Sequence, residues 1–435
     1  MSGPLQLLTT RRFLPFFCTQ FLGAFNDNLF KNALVVLLTF QAASWTTLKP
    51  EVLANLAAGI FILPFFVFSA TAGQLADKYD KARLARLVKL LEIIIMLVAG
   101  MGFAMHSLAM LMFALFLFGM HSTLFGPVKY AIMPQHLKEE ELVGGNALVE
   151  AGTFVAILIG TMSGALLAGL TQGSLWITAG GLLVAVVGYF ASRDIPAAPA
   201  PEPQLRINPN PFNETWRNIA YTRANRTVFL AILGISWFWL YGALLLAQFP
   251  AYTKNVLGGS ETAVTLLLVT FTIGIGIGSM LCARLSGKML EPGLVPLGSI
   301  GLTLFGLDLT WATPAPPTSE QLLPALALLS APGMWRVLVD LCGLGMFGGL
   351  FIVPLYALIQ LRSSTAFRAR IIAGNNIMNA LFMVVGALAA AAMLGAGLSI
   401  PALFGVAAVC NALVAIYIFI KVPEFLQRFV TWLAE

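Results

Sequence analysis

The chain has 435 residues, 59% of them hydrophobic and only 10% charged, with a mean hydropathy of +0.87. A soluble domain of that length carries far more charge. Composition therefore excludes the soluble globular class and selects an all-α protein that crosses a membrane many times.

Each crossing needs about 20 predominantly apolar residues. Twelve runs meet that need: 13–40, 52–76, 82–105, 107–126, 146–170, 174–192, 228–249, 262–286, 293–312, 334–359, 371–395 and 399–421. Arg11 and Arg12 precede the first run. No small-residue cleavage site follows a short apolar core, so this run reads as a span and not as a removed leader. Cys18, Cys282, Cys342 and Cys410 fall inside spans without metal-ligand spacing, and His106, His121 and His136 are scattered. No disulfide, metal or cofactor is expected.

The first span contains FLGAFNDNLFKNALVVLLTF at residues 21–40. A carboxylate at mid-helix depth in a bilayer is costly and marks function by default. Asp27 and Lys31 stand one turn apart on one face, with Asn28 and Asn32 on its neighbouring edge. Two readings stay open. The stripe faces a central cavity, or it forms a salt-bridge and amide network tying the first helix to its neighbours.

Residues 73–87, GQLADKYDKARLARL, join the second and third spans. Gly73 allows close helix contact. Asp77 either caps the next helix or pairs with a base from the other half, locking one conformation. With Lys78, Lys81 and Arg83 the order resembles the cytoplasmic gating signature of the major facilitator superfamily, except that Asp80 stands where a second glycine is usual. The plain alternative is an ordinary basic loop beside the membrane.

Lys129 follows Pro127 near the end of the fourth span and either snorkels or binds an anion. Asn146 opens the fifth span, and Glu150, one turn on, is a candidate partner for Lys129. Gly160 and Gly164 form a small-xxx-small pair suited to helix contact, and Gly274, Gly276 and Gly278 form a second glycine series.

Residues 193–227 contain IPAAPAPEPQ and NPNPFNETW and read as a linker without a packed core. They divide the chain into a six-helix bundle at 1–192 and a second at 228–421, followed by a tail at 422–435. LFGPVKYAIMPQ and GGNALVEAG in the first half echo LFIVPLYALIQL and AGNNIMNAL in the second. Parallel six-helix repeats are the architecture of the major facilitator superfamily. Arg336 and Asp340 read as an i,i+4 ion pair, and Asp308 has no evident partner. The tail sets Phe425, Phe429 and Trp432 along one side of a short helix suited to the headgroup plane.

Basic residues alternate between connections. Arg11, Arg12, the 78–89 cluster, Lys129, Lys138, the 193–226 arginines, Arg284, Lys288, Arg362, Arg368, Arg370, Lys421 and Arg428 fall on one side, against little beyond Lys49 and Lys254 on the other. That asymmetry predicts both termini in the cytoplasm. The net charge of +6 gathers where anionic headgroups favour it; nothing points to nucleic acid.

Together FLGAFNDNLFKNALVVLL, GQLADKYDKARL and FGPVKYAIMPQHLKEEELVGGNALVEAGTFVAILIGTMSGALLAG resemble the bacterial lysophospholipid transporter family of the major facilitator superfamily. The resemblance implies movement of lysophosphatidylethanolamine and lysophosphatidylglycerol from the outer to the inner leaflet of the bacterial inner membrane. It also implies an acyltransferase and acyl carrier protein synthetase, fused or separate, that re-acylates them. It places Asp27, Lys129 and Glu150 among the polar groups of the cavity. Where some members carry an arginine in the seventh span this chain has none, and Gln248 is the nearest polar candidate. No nucleophile–base constellation suggests an enzyme. Two other readings remain: a transporter of a soluble solute or drug coupled to protons or sodium, and the membrane module of a fused lipid acyltransferase.

Overall fold

The computed structural model describes residues 3–40, 45, 50–287, 289–312 and 322–434. Lys49 and Lys288 lie outside the described residues. Among those described, regular structure is helical apart from one isolated bridge between Gly259 and Leu323. In chain order the helices are α1 (Leu14–Phe40), α2 (Pro50–Lys78), α3 (Lys81–Ala104), α4 (Leu108–His136), α5 (Glu139–Ala168), α6 (Gly173–Arg193), α7 (Pro211–Arg223) and α8 (Arg226–Asn255). They continue as α9 (Glu261–Leu285), α10 (Leu294–Ala312), the short α11 (Ala325–Leu329), α12 (Met334–Arg362), α13 (Arg368–Gly395), α14 (Ile400–Lys421) and α15 (Glu424–Ala434).

Eleven helices among the described residues are long and apolar enough to cross a membrane. The remaining long helix is α1. Its 27 residues reach about 40 Å at 1.5 Å per residue, but the polar side chains between Asn26 and Asn32 dilute its hydropathy. Helix starts follow local chemistry: Asp80, Ser107, Asn210 and Ser399 accept backbone N–H bonds at the first turns of α3, α4, α7 and α14.

Two compact units emerge. The first comprises Met1–Lys138, Val155–Asn225 and Arg362–Ile377; the second comprises Glu139–Phe154, Arg226–Leu361 and Met378–Glu435. Helices α5 and α13 thus contribute to both. In the first unit α2 packs on α4, α3 on α4 and α6, and α1 on α6. Leu29, Phe30, Ile95, Met96, Leu111, Phe118 and Ile177 form part of its apolar core. The Gly160–Gly164 face of α5 meets the backbone of α1: a Cβ at these positions would lie 2.4 Å from the Phe25 carbonyl oxygen and 2.3 Å from that of Leu29. In the second unit α10 packs on α14, and α8 on α9 and α14.

The 193–227 segment is more ordered than its prolines suggest. Asn210 caps α7, with Pro211 at its first turn, where a missing N–H costs nothing. Glu214, Asn218 and Thr222 form its buried face. Upstream, the strand-like stretch is pinned to the 73–81 turn. Lys81 N–H donates to Ala198 O (3.0 Å), Glu202 N–H to Asp77 O (3.0 Å), and Asn208 N–H to Gln74 Oε1 (2.7 Å). The tail helix α15 docks inside the second unit: Phe425 is buried, Arg428 pairs with Glu291, and Trp432 Nε1–H reaches Leu285 O (3.4 Å).

Candidate functional site

Helix α1 carries its polar residues into the interior of the first unit. Asp27 is 8% exposed and Asn26 fully buried. The Asp27 carboxylate finds its hydrogen-bond partner on another helix, α4. Ser122 Oγ–H donates to Asp27 Oδ2, and His121 Nδ1 lies 3.5 Å from Asp27 Oδ1. Lys31 lays its ammonium 5.1 Å from the centre of the Phe61 ring. That arrangement suits a cation leaving water, since the ring face is negative.

The network extends through four helices. His121 Nε2 is 3.1 Å from Glu92 Oε2, Lys89 pairs with Glu92 on α3, and Asn26 Nδ2–H donates to Glu92 Oε1 (2.7 Å) and Gly181 O (3.1 Å). Lys89, Glu92 and His121 are each 2% exposed or less. Sequence reasoning missed these three. Lys89 counts there as one more cytoplasmic base and His121 as a scattered histidine. The available signal was Glu92 within an apolar run, one turn beyond a lysine. Beside the network, Asn32 Nδ2–H donates to Thr161 Oγ1 (3.0 Å), and Asn28 bonds back to Ala24 O (2.8 Å). The amides thus tie α1 to α5 and to itself.

A second constellation forms at the 73–83 turn. Asp77 is fully buried. Its carboxylate accepts from the backbone N–H groups of Ala369 (3.1 Å) and Arg370 (3.2 Å), and from Arg370 Nε (3.0 Å). It therefore caps a helix of the second half, α13, and pairs with that helix's arginine; Asp80 caps the neighbouring α3 instead. Gly73 makes the approach feasible, because a Cβ there would sit 2.8 Å from the Ala373 Cβ and 2.9 Å from the Arg370 Cα. The Arg370 guanidinium lies over Tyr221 of α7 (5.3 Å) and Phe367 (5.7 Å). Lys78 lies over Tyr79, Lys81 is buried, and Arg83 is exposed.

Lys129, half-buried in the first unit, has its ammonium 5.0 Å from the Tyr130 ring. Glu150 is fully buried in the second unit. Asn146, also there, donates to Gln360 Oε1 (2.6 Å) and accepts from Gln360 Nε2 (3.2 Å). Gln248 is half-buried on α8. The expected Arg336–Asp340 pair is replaced: Arg336 Nε donates to Asp308 Oδ2 (2.9 Å), which gives Asp308 its partner, and Asp340 is buried.

The Major Facilitator Superfamily model matches residues 16–335. The lysophospholipid transporter LplT of Serratia proteamaculans is 28% identical over 372 residues, 83% of each chain. The protein of the same name from Escherichia coli O1:K1 is 27% identical over 412 residues, 89% of this chain and 92% of its own. Among solved structures, the human organic anion transporter MFSD10 superposes with a TM-score of 0.70 at 15% identity, covering 93% of this chain and 99% of its own. A buried acid on the 73–83 turn, twelve long helices among the described residues and a family match over most of its length place the chain in one family: it belongs to the major facilitator superfamily.

Proposed function

We propose that the protein is a lysophospholipid transporter that moves lysophosphatidylethanolamine and lysophosphatidylglycerol from the outer to the inner leaflet of the bacterial inner membrane, where an acyltransferase system re-acylates them. The observation that carries this reading is the near-full-length likeness to chains named as lysophospholipid transporters. The chemistry is compatible. A one-tailed lipid presents a phosphate, which Lys31 or Lys129 attracts, and often an ammonium, which Asp27, Glu150 or Gln248 attracts; Asn28 and Asn146 add neutral contacts. Apolar walls take the tail, and rocking of two repeats alternates access.

In this reading the positive-rich loops and both termini face the cytoplasm. Gly73, Asp77, Lys78, Lys81 and Arg83 form the cytoplasmic gate, with the bonds from Asp77 to α13 as its latch. The test is transport of labelled lysophosphatidylethanolamine into proteoliposomes, with and without imposed ion gradients. Movement above protein-free vesicles is expected, strongly reduced by Asp27→Ala without loss of membrane insertion. Lys129→Ala is expected to alter the preference between anionic and zwitterionic lysolipids. Wild-type protein that moves none of them, yet moves a soluble solute, would overturn the reading.

A further inference from the structure

At 13 residues α7 reaches about 20 Å, too short to cross a bilayer. Yet Phe212 is 81% exposed on it and Trp216 69%. The two stand one turn apart, and Arg223 falls on the same side two turns beyond Trp216. The opposite side, formed by Glu214, Asn218 and Thr222, is buried. A bare aromatic pair on a face turned away from the protein marks an interaction surface.

Packing decides which way that face looks. The buried side rests on α2 and on α13. A Cβ at Gly374 would lie 2.9 Å from Thr222 Cγ2 and 3.5 Å from Asn218 O. Gly374 stands six residues into α13, about 9 Å along its axis. Helix α7 therefore lies beside α13 and not beyond its end, and its outer face looks sideways, along the membrane plane. Its last residue, Arg223, is soon followed by Arg226, where the membrane-spanning α8 begins. That short link keeps α7 at the depth of the bilayer surface. Arg206, Arg217, Arg223 and Arg226 are exposed on and around it, while its carboxylate, Glu214, is buried and paired with Arg217. Aromatic rings rimmed by arginines suit a helix lying among headgroups, and the arginines attract anionic lipid.

We propose that α7 is a seat on the bilayer surface, where Phe212 and Trp216 enter the headgroup zone and the arginines beside them bind phosphates of anionic phospholipid. The seat reaches the Asp77 bonds. Tyr221, on α7, stacks on Phe367 with ring centres 5.2 Å apart, and the Arg370 guanidinium lies over Tyr221 at 5.3 Å. Arg370 in turn holds Asp77 (3.0 Å). Anionic lipid that fixes α7 thereby steadies Tyr221 against Arg370 and favours the bonded state of the latch. The seat and its effect on these bonds stand on the geometry; an effect on lysophospholipid movement rests on the transport reading above.

Full-length protein carrying fluorotryptophan, in phosphatidylcholine nanodiscs with and without phosphatidylglycerol, tests the seat. The chain has eight tryptophans, and W216F identifies the Trp216 fluorine signal by its loss. A lipid bearing a nitroxide at its headgroup is expected to broaden that signal. A Trp216 signal that this lipid leaves sharp, and that a water-soluble gadolinium chelate broadens, would overturn the proposal and mark the face as one for a cytosolic protein. Hydrogen exchange reads the latch, because the backbone N–H groups of Ala369 and Arg370 donate to Asp77. Their exchange is expected to slow when phosphatidylglycerol is present, and the slowing is expected to be lost when F212S and W216S are combined. Equal exchange in the two lipids for wild type, or unchanged slowing in the double variant, would overturn the link to the latch. Neither measurement involves a lysolipid, so their failure leaves the transport reading standing. A seated α7 in protein that moves no lysolipid would support the seat and overturn that reading instead.

Discussion

In the first unit α1, α3 and α4 are joined through charges: Asp27, Lys89, Glu92 and His121. In the second unit α8, α10, α13 and α14 are joined through neutral groups. Ser236 Oγ–H donates to Asn379 Oδ1 (2.8 Å) and Trp237 Nε1–H to Asn411 Oδ1 (2.8 Å). Asn411 Nδ2–H donates to Ser299 O (2.9 Å) and Thr303 Oγ1 (2.9 Å). Both sets hold polar atoms away from water, but they differ in what one deletion leaves behind. Removing a neutral partner strands an amide or hydroxyl, whereas removing an ionised one strands a charge. A neutral network is suited to fixed packing. A charged one costs more to assemble and responds to proton or ion binding.

The contrast is sharpest at Glu92. Glu92→Ala leaves Lys89 buried without its anion, and is expected to destabilise by about 3–5 kcal/mol, read as a large fall in the unfolding midpoint and in folded yield. Asp77→Ala should follow, at about 1.5–3 kcal/mol, since its carboxylate accepts charge-assisted bonds from Ala369 and Arg370. Its separate readout is faster modification of a cysteine placed at Ala369. Asn411→Leu in the second unit should cost less, about 0.6–1.7 kcal/mol, by the same unfolding measurement. If Asn411→Leu proves as damaging as Glu92→Ala, the distinction between the two interiors fails. Arg336→Ala should leave the unfolding midpoint unchanged, because the Arg336–Asp308 pair is solvent-exposed on both sides.

Much of this was legible in the sequence. Apolar run length fixes where a helix can cross, and the runs at 82–105, 262–286 and 399–421 agree with α3, α9 and α14 within a residue. The role of Asp77 was legible as a pair of options, and the structure takes the pairing with a second-half base while giving the cap to a second-half helix. Partners across helices were less legible. Periodicity tells which face of α1 holds Asp27, but not that His121, 94 positions later, faces it. A local i,i+4 rule proposed Asp340 for Arg336, and a residue on another helix, Asp308, prevails, because a packed bundle offers contacts closer than the next turn. Helix α7 was obscured by prolines that also supply its start signal at Asn210–Pro211.

The strap that precedes α7 has a consequence for biosynthesis. Its anchors at Gln74, Asp77 and Asp80 all lie upstream of residue 210, so the bonds from Ala198, Glu202 and Asn208 need nothing that a ribosome has yet to make. The partners of the Asp77 side chain, Ala369 and Arg370, emerge much later. The nascent first half can therefore shape and shelter the socket into which the start of α13 is fitted when translation reaches it.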